Sequence, residues 1–115
     1  MRLCESYRCK RLALGLTQAE LARMVGVSAG TISRFESGEE LSETVFNQIR
    51  FGVEHFMRNM ERHEYIETRI LEGAYALRIE TDREKRMLIL NHMMIHAGKM
   101  NMDLLKMRTD YEEEP

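Results

Sequence analysis

The chain has almost no proline and no strand-like alternation of residue types. Its one proline is the terminal Pro115, and no stretch alternates apolar and polar residues for long enough to form a strand. Apolar residues recur instead at the spacings of amphipathic helices. These observations predict an all-α fold. With 115 residues, the chain has room for one compact domain, or for a small domain and an association element.

Cysteines are few and membrane signals are missing. Cys4 and Cys9 stand five positions apart on what reads as one helix, so their side chains point to different faces and cannot form a disulfide. The chain has no hydrophobic run of membrane-spanning length, and its first residues show no signal-peptide pattern. We therefore expect a protein of the reducing cytoplasm with no membrane partner.

Motifs for catalysis and for cofactor binding are absent as well. The chain has no glycine-rich phosphate loop, no nucleophile elbow and no HExxH motif, which argues against an enzyme and against a cofactor. His92 and His96 are four positions apart and can share one face of a helix. No cysteine or carboxylate stands at a convincing third position. We interpret the two histidines as solvated or packed residues rather than metal ligands.

What the sequence does contain is a pair of short helices with marked boundaries. Thr17 and Glu20 have the spacing of a capping box, in which hydroxyl and carboxylate cap each other's backbone amides, so a helix is predicted to begin at Thr17. Gly26 follows its apolar positions, where the chain reverses direction and a positive φ is useful. A second helix is predicted to be capped by Ser28.

The second helix has the form of a DNA-reading element. Its inward positions are Ile32 and Phe35, and Gly38 lies just past its end, where a left-handed residue is favoured. Two helices joined by a tight, glycine-containing turn can place one of them in a DNA groove. The unit therefore predicts a helix-turn-helix.

At these residues the sequence resembles the Cro/repressor (XRE) helix-turn-helix family. The family has glutamine opening the first helix, alanine at its fifth position and glycine at its ninth, which Gln18, Ala22 and Gly26 match. Its frequent ending, I-S-R-x-E-x-G, is met from Ile32 to Gly38. The resemblance implies a compact, lambda-repressor-like five-helix DNA-binding domain.

The resemblance also implies which residues meet DNA. Ala29, Gly30 and Arg34 occupy the positions that touch bases in the family, and Thr17 and Gln18 those that hold a phosphate. A guanidinium such as that of Arg34 can bridge the two acceptors of guanine, which is worth about 1–3 kcal/mol of discrimination. The bare Gly30 leaves three readings open: a close helix approach, recognition of DNA shape, or weak specificity. The candidate DNA-binding residues are Thr17, Gln18, Ser28, Ala29, Gly30, Thr31, Ser33, Arg34 and Ser37.

The family pattern makes two further features notable, one a match and one a departure. In related repressors an arginine of the first helix pairs with the glutamate at position 36, and Arg11 matches that arginine, so a structural Arg11–Glu36 ion pair is expected. Glu39, Glu40 and Glu43 follow the recognition helix where many members have basic or polar residues. These three carboxylates would repel phosphate.

Charge is divided unevenly along the chain and marks two functional halves. Residues 1–38 carry a formal charge of +3, whereas residues 39–115 carry −5. A basic half can approach phosphates while an acidic half points away. We predict a DNA-binding domain over residues 1–60, a helical dimerisation or interaction region over residues 61–109, and a disordered acidic tail over residues 110–115.

Within this division, the helices are assigned as follows. Leu3, Tyr7 and Leu14 mark the inward side of a first helix, and residues 41–60 would supply the fourth and fifth helices, with Gly52 kinking or dividing the segment. Thr81 and Glu84 have the spacing of a second capping box. The helix after it is apolar over more than half of its circumference, which requires a partner.

Two functions are therefore considered. The first is a homodimeric, sequence-specific DNA-binding transcriptional regulator, a repressor by resemblance, that binds double-stranded DNA at a palindromic operator and pairs through its C-terminal helices. The alternative is a protein-binding module or antitoxin whose acidic helical half engages a partner protein. The glutamates after the recognition helix and the bare Gly30 favour the alternative, while Gln18, Arg34 and the basic first half oppose it.

Overall fold

The structure is a computed structural model that describes the backbone of residues 1–113 and the side chains of residues 1–106 and 108. It contains helices over the described residues and no strand, so the all-α prediction is confirmed. None of these helices is both long and apolar enough to span a lipid bilayer. In chain order the helices are α1 (Leu3–Ala13), α2 (Gln18–Val25), α3 (Ala29–Glu36), α4 (Glu43–Arg58), α5 (Arg62–Ile79) and α6 (Arg83–Glu113).

The predicted boundaries of α2 and α3 are confirmed. The amide of Glu20 donates to Thr17 Oγ1 at 3.1 Å, and the amide of Thr17 donates to Glu20 Oε1 at 3.3 Å, which completes the capping box. Gly26 ends α2 with a φ of 80°. At the start of α3, Ser28 Oγ accepts from the amide of Thr31 at 3.1 Å.

One apolar core joins the first four helices. The rings of Tyr7, Phe35 and Phe46, which come from α1, α3 and α4, pack with centroids 5.7–5.8 Å apart. Leu3, expected on the inward side of α1, is instead 57% exposed, and burial begins at Cys4. The remaining buried members of this core are Cys4, Leu21, Ala22, Val25, Ile32, Ile49, Val53 and Met57.

The prediction that residues 41–60 supply two helices is wrong. A single continuous helix, α4, spans this segment, and the fifth helix of the bundle is α5, which packs on α1. Gly52 does not kink α4 but allows it to approach α2, because a Cβ at this position would lie 2.5 Å from Cγ1 of Val25. Close packing, not a break in the helix, accounts for this glycine.

Helices α5 and α6 form an antiparallel hairpin attached to α1. Near its open end Arg62 Nε donates to Asp103 Oδ2 at 2.7 Å, and in the middle Gly73 lies against Met93. Lys10 of α1 forms an ion pair with Glu72 of α5 at 2.5 Å. The hairpin is therefore packed against the first domain rather than joined to it by a free linker.

Both ends of α6 differ from expectation. The helix begins at Arg83, and its cap is Asp82, whose Oδ2 accepts from the amide of Lys85 at 3.1 Å, so the capping box predicted at Thr81 does not form. At the other end the helix continues through Glu113, where disorder was expected from residue 110. Residues 99–113 contain neither glycine nor proline, so nothing in them stops the helix. Residues 114 and 115 lie outside the described residues.

Candidate nucleic-acid interface

Helix α3 presents one buried face and one open face. Ile32 and Phe35 point inward and are 1% and 7% exposed. The opposite face carries small and hydrogen-bonding side chains of the kind that fit against base edges. The exposed residues among the predicted contacts are Thr17, Ser28, Ala29, Gly30, Ser33, Arg34 and Ser37, while Gln18 and Thr31 are half-buried.

The turn between α2 and α3 is held from behind by Gln48 of α4. Its Nε2 donates to the carbonyl oxygens of Val25 and Gly26 at 3.0 and 2.8 Å. These are terminal carbonyls of α2, which have no partner within the helix. Gln48 thus satisfies them and sets the angle at which α3 leaves the turn. Sequence reasoning missed this residue, because a glutamine inside an amphipathic helix carries no local signal of a distant contact.

Beneath α3, Arg11 and Glu36 form a two-pronged ion pair. Arg11 Nε and Nη2 donate to the two carboxylate oxygens of Glu36 at 2.7 and 2.8 Å, and the two side chains are 9% and 5% exposed. Arg11 Nη1 also donates to the carbonyl of Leu16 at 2.9 Å. The pair therefore ties α1 to the end of α3 and to the loop before α2.

Gln18, expected at a phosphate, also contacts this ion pair. Its Nε2 donates to Glu36 Oε1 at 3.2 Å. This hydrogen bond fixes the side chain at the first turn of α2, close to the exposed hydroxyl of Thr17. The two predicted phosphate-binding residues thus lie together at the N-terminus of α2, where the partial positive charge of the helix favours an anion.

Arg34 lies on the outer face of α3, and its side chain is 57% exposed. Nη2 donates to Thr31 Oγ1 at 3.4 Å, and Nε lies 3.8 Å from Glu39 Oε2. An exposed ion pair of this length contributes little to stability. The guanidinium is therefore available to a ligand that approaches α3.

The two helices, their turn and the open face of α3 agree with the comparison to known proteins. The family model described as Helix-turn-helix, HTH_3, matches residues 10–49, from the end of α1 into α4. Residues 10–49 are similar to the Cro/repressor-type helix-turn-helix domain. A domain of this type is found in DNA-binding transcriptional regulators. No curated protein and no solved structure matches the chain.

Negative charge borders the helix-turn-helix on two sides. Hydrogen bonds from the Thr17 hydroxyl and amide lower the pKa of Glu20, which keeps this exposed carboxyl ionised in the first turn of α2. Glu39 and Glu40 are exposed in the loop after α3. These carboxylates would repel a phosphate backbone that approached them.

One arginine that sequence reasoning missed adds positive charge near the end of α3. The guanidinium of Arg2 lies over Gly38, where a Cβ would come within 2.6 Å of Nη1. Its Nε is 3.3 Å from Glu5, and the side chain is 66% exposed. Because Arg2 precedes α1 by a single residue and lies far from the helix-turn-helix in sequence, the motif gives no sign of this proximity.

The two histidines of α6 pack against each other and against α5. Their Nε2 atoms are 3.0 Å apart, and Nη2 of Arg69 is 3.0 Å from Nε2 of His92. Burial, followed by the neighbouring His92 and Arg69, lowers the pKa of His96. The guanidinium places a positive charge at the nitrogen that a metal ion would need. This geometry supports the interpretation of packed histidines.

Proposed function

We propose that the protein is a homodimeric, sequence-specific repressor of transcription that acts in the cytoplasm on a palindromic operator. The observation that carries the proposal is the open outer face of α3 within a complete helix-turn-helix. The later helices do not occupy this face, since α5 packs on α1 and α6 packs on α5. The domain can therefore approach a major groove without rearrangement.

The need for a second subunit follows from the size of the reading surface. One α3 helix offers few base and phosphate contacts, whereas a two-fold dimer places two such helices about one DNA turn apart. Operator symmetry then mirrors protein symmetry. We propose residues 61–109 as the region that provides this pairing and residues 1–60 as the DNA-binding region.

Helix α6 carries the surface we assign to the second copy. One seam of the helix, which includes Met93 and His96, faces α5. The other seam is apolar and open: Met87, Met94 and Ile95 are 52%, 70% and 58% exposed. Apolar residues repeated at about seven positions form the kind of stripe along which two helices pair. A second α6 with the same stripe is a self-complementary occupant, as a two-fold interface requires.

DNA recognition is tested with selection of duplexes from a random pool, followed by a salt titration. We expect enrichment of a palindrome and selective binding that weakens as salt rises. The Arg34→Ala variant should lose about 1–3 kcal/mol of discrimination at one base pair of each half-site, measured by competition between selected and altered duplexes. Equal discrimination in wild type and variant would refute the role of Arg34.

Pairing is tested by sedimentation equilibrium of single variants. Ile95→Glu, which places a charge in the open seam, should convert the dimer to a monomer, because an unpaired carboxylate would be buried in the interface. Phe51→Glu is the matched control, since Phe51 has the same 58% exposure and lies on α4, outside the seam, where its ring contacts Arg50 of the same helix. A wild-type monomer, or dissociation of both variants alike, would overturn the assignment of the seam.

The alternative function, a module that binds a partner protein, is favoured by one observation. Glu39 and Glu40 are exposed directly after α3, where their charges oppose DNA. In this alternative, contact with DNA would be secondary or absent. A failure to bind any duplex at low salt would support it, since non-specific binding is strongest there.

A further inference from the structure

Gly30 and Arg34 are coupled across the outer face of α3. They are four positions apart, so they lie one above the other on the helix, and the side chain of Arg34 tilts back toward the N-terminus. A Cβ at residue 30 would lie 3.2 Å from Nη1 and 3.9 Å from Cζ of Arg34. The first distance is tighter than an ordinary van der Waals contact. A side chain at position 30 would therefore crowd the guanidinium of Arg34 in its present position.

The other contacts of Arg34 orient the same group. Nη2 donates to Thr31 Oγ1 at 3.4 Å, and that hydroxyl is 2.8 Å from Ser28 Oγ, the cap of α3. Nε is turned to the opposite side, 3.8 Å from Glu39. Both terminal nitrogens therefore lie at the first turn of α3, on a side chain that is 57% exposed.

We propose that Gly30 is a positioning residue for DNA recognition, which allows the guanidinium of Arg34 to lie at the first turn of α3 and to read a guanine there. This inference rests on the proposed function. The N-terminal residues of a recognition helix meet base edges, and two parallel N–H groups match O6 and N7 of guanine. Gly30 would act through Arg34 rather than by touching the DNA.

A positioning role for Gly30 accounts for a glycine on the exposed surface of α3. Glycine has a lower helix propensity than alanine, so the glycine in the first turn of α3 does not stabilise the helix by propensity. The missing side chain leaves space for Nη1 of Arg34. Neither close approach of the helix to DNA nor recognition of DNA shape is needed to account for it.

The test is a double-mutant cycle on the full chain with Gly30→Ala, Arg34→Ala and the double variant. Each is titrated with the selected duplex and with a duplex in which one G·C pair per half-site is replaced. We expect Gly30→Ala to lose selectivity on the order of tenfold, and Arg34→Ala to lose at least as much. In the Arg34→Ala background, Gly30→Ala should change selectivity no further.

Thermal unfolding separates this effect from damage to the fold. Gly30→Ala should melt at the wild-type temperature or above, because alanine is the better helix former. If the wild-type protein selects no duplex, the proposed function fails. If the wild-type protein selects a duplex, two results overturn the positioning role of Gly30. One is that Gly30→Ala keeps the wild-type selectivity. The other is that Gly30→Ala lowers selectivity as much in the Arg34→Ala background as in the wild-type background.

Discussion

At the scale of single residues, the Arg11–Glu36 pair is a buried polar contact that holds the end of α3. The two side chains are almost fully buried and share two hydrogen bonds, and Glu36 accepts a third from Gln18. Breaking a buried pair leaves the remaining charge without compensation, which costs far more than the intact pair contributes. The position of the recognition helix therefore depends on both partners.

This leads to a prediction for Glu36→Gln, which removes the charge with little change of shape. The free energy of unfolding should fall by about 3–5 kcal/mol, because the guanidinium of Arg11 would stay buried without a counter-charge. Urea denaturation followed by circular dichroism measures the change. Glu40→Gln is the control, since this glutamate is exposed, and its effect should stay within about 0.5 kcal/mol. Equal effects in the two variants would contradict the prediction.

At the scale of helices, a polar cluster around a buried histidine joins α5 and α6. His96 is 6% exposed. Its neighbours are His92 and Lys99 on α6, and Tyr65, Arg69 and Glu72 on α5. Among these neighbours, only the charge of Glu72 favours protonation of His96. The other charged neighbours and burial oppose protonation.

The cluster predicts a pH dependence of stability. The pKa of His96 is lowered in the folded protein, so the unfolded chain takes up a proton first, at its ordinary value of 6.5. The contribution of His96 to stability is therefore constant above that pH and falls as the pH drops through about 6.5 and on to the lower folded-state pKa. Thermal unfolding from pH 8 to pH 5 should show this loss, and His96→Leu should show less of it. His55→Gln, at an exposed histidine of α4, should retain it. An unchanged slope in His96→Leu would exclude this residue as its source.

At the scale of the whole molecule, the fifth helix decides how the two functional regions are connected. α5 packs on α1, where Cys9 is only 1% exposed, and is joined to it by Lys10 and Glu72. The DNA-binding region and the proposed pairing region therefore share an interface. In the proposed dimer, the orientation of the second subunit would be transmitted to α3 through α1.

Truncation tests this connection. A chain of residues 1–60 should unfold several degrees below a chain of residues 1–80, because the first loses α5 and exposes the face of α1 that α5 covers. Both chains lack α6, so they differ only in the fifth helix and the residues around it. Calorimetry of the two chains gives the comparison. Equal melting temperatures would mean that α5 contributes nothing to the first domain.

Local patterns were enough for the helix-turn-helix. The capping residues Thr17 and Ser28, the left-handed Gly26 and the inward Ile32 and Phe35 were all predicted, because each depends on contacts within a few residues of the chain. The same local reasoning placed a second capping box at Thr81, where the structure has a cap at Asp82 instead. With two capping residues in adjacent positions, sequence spacing does not decide which one the chain uses.

Contacts between distant segments needed the tertiary structure. Gln48 reaches the α2–α3 turn, Gly52 admits Val25, and Arg2 lies over Gly38, but in each case the partner is more than twenty residues away. The position of Arg34 over Gly30 also depends on side-chain torsions that the residue types leave free. The sequence by itself therefore determined that α2 and α3 form and which face of α3 is apolar, because helix propensity and capping act locally. Only the tertiary structure decided how α3 is held and where its arginine lies, because these follow from packing between helices.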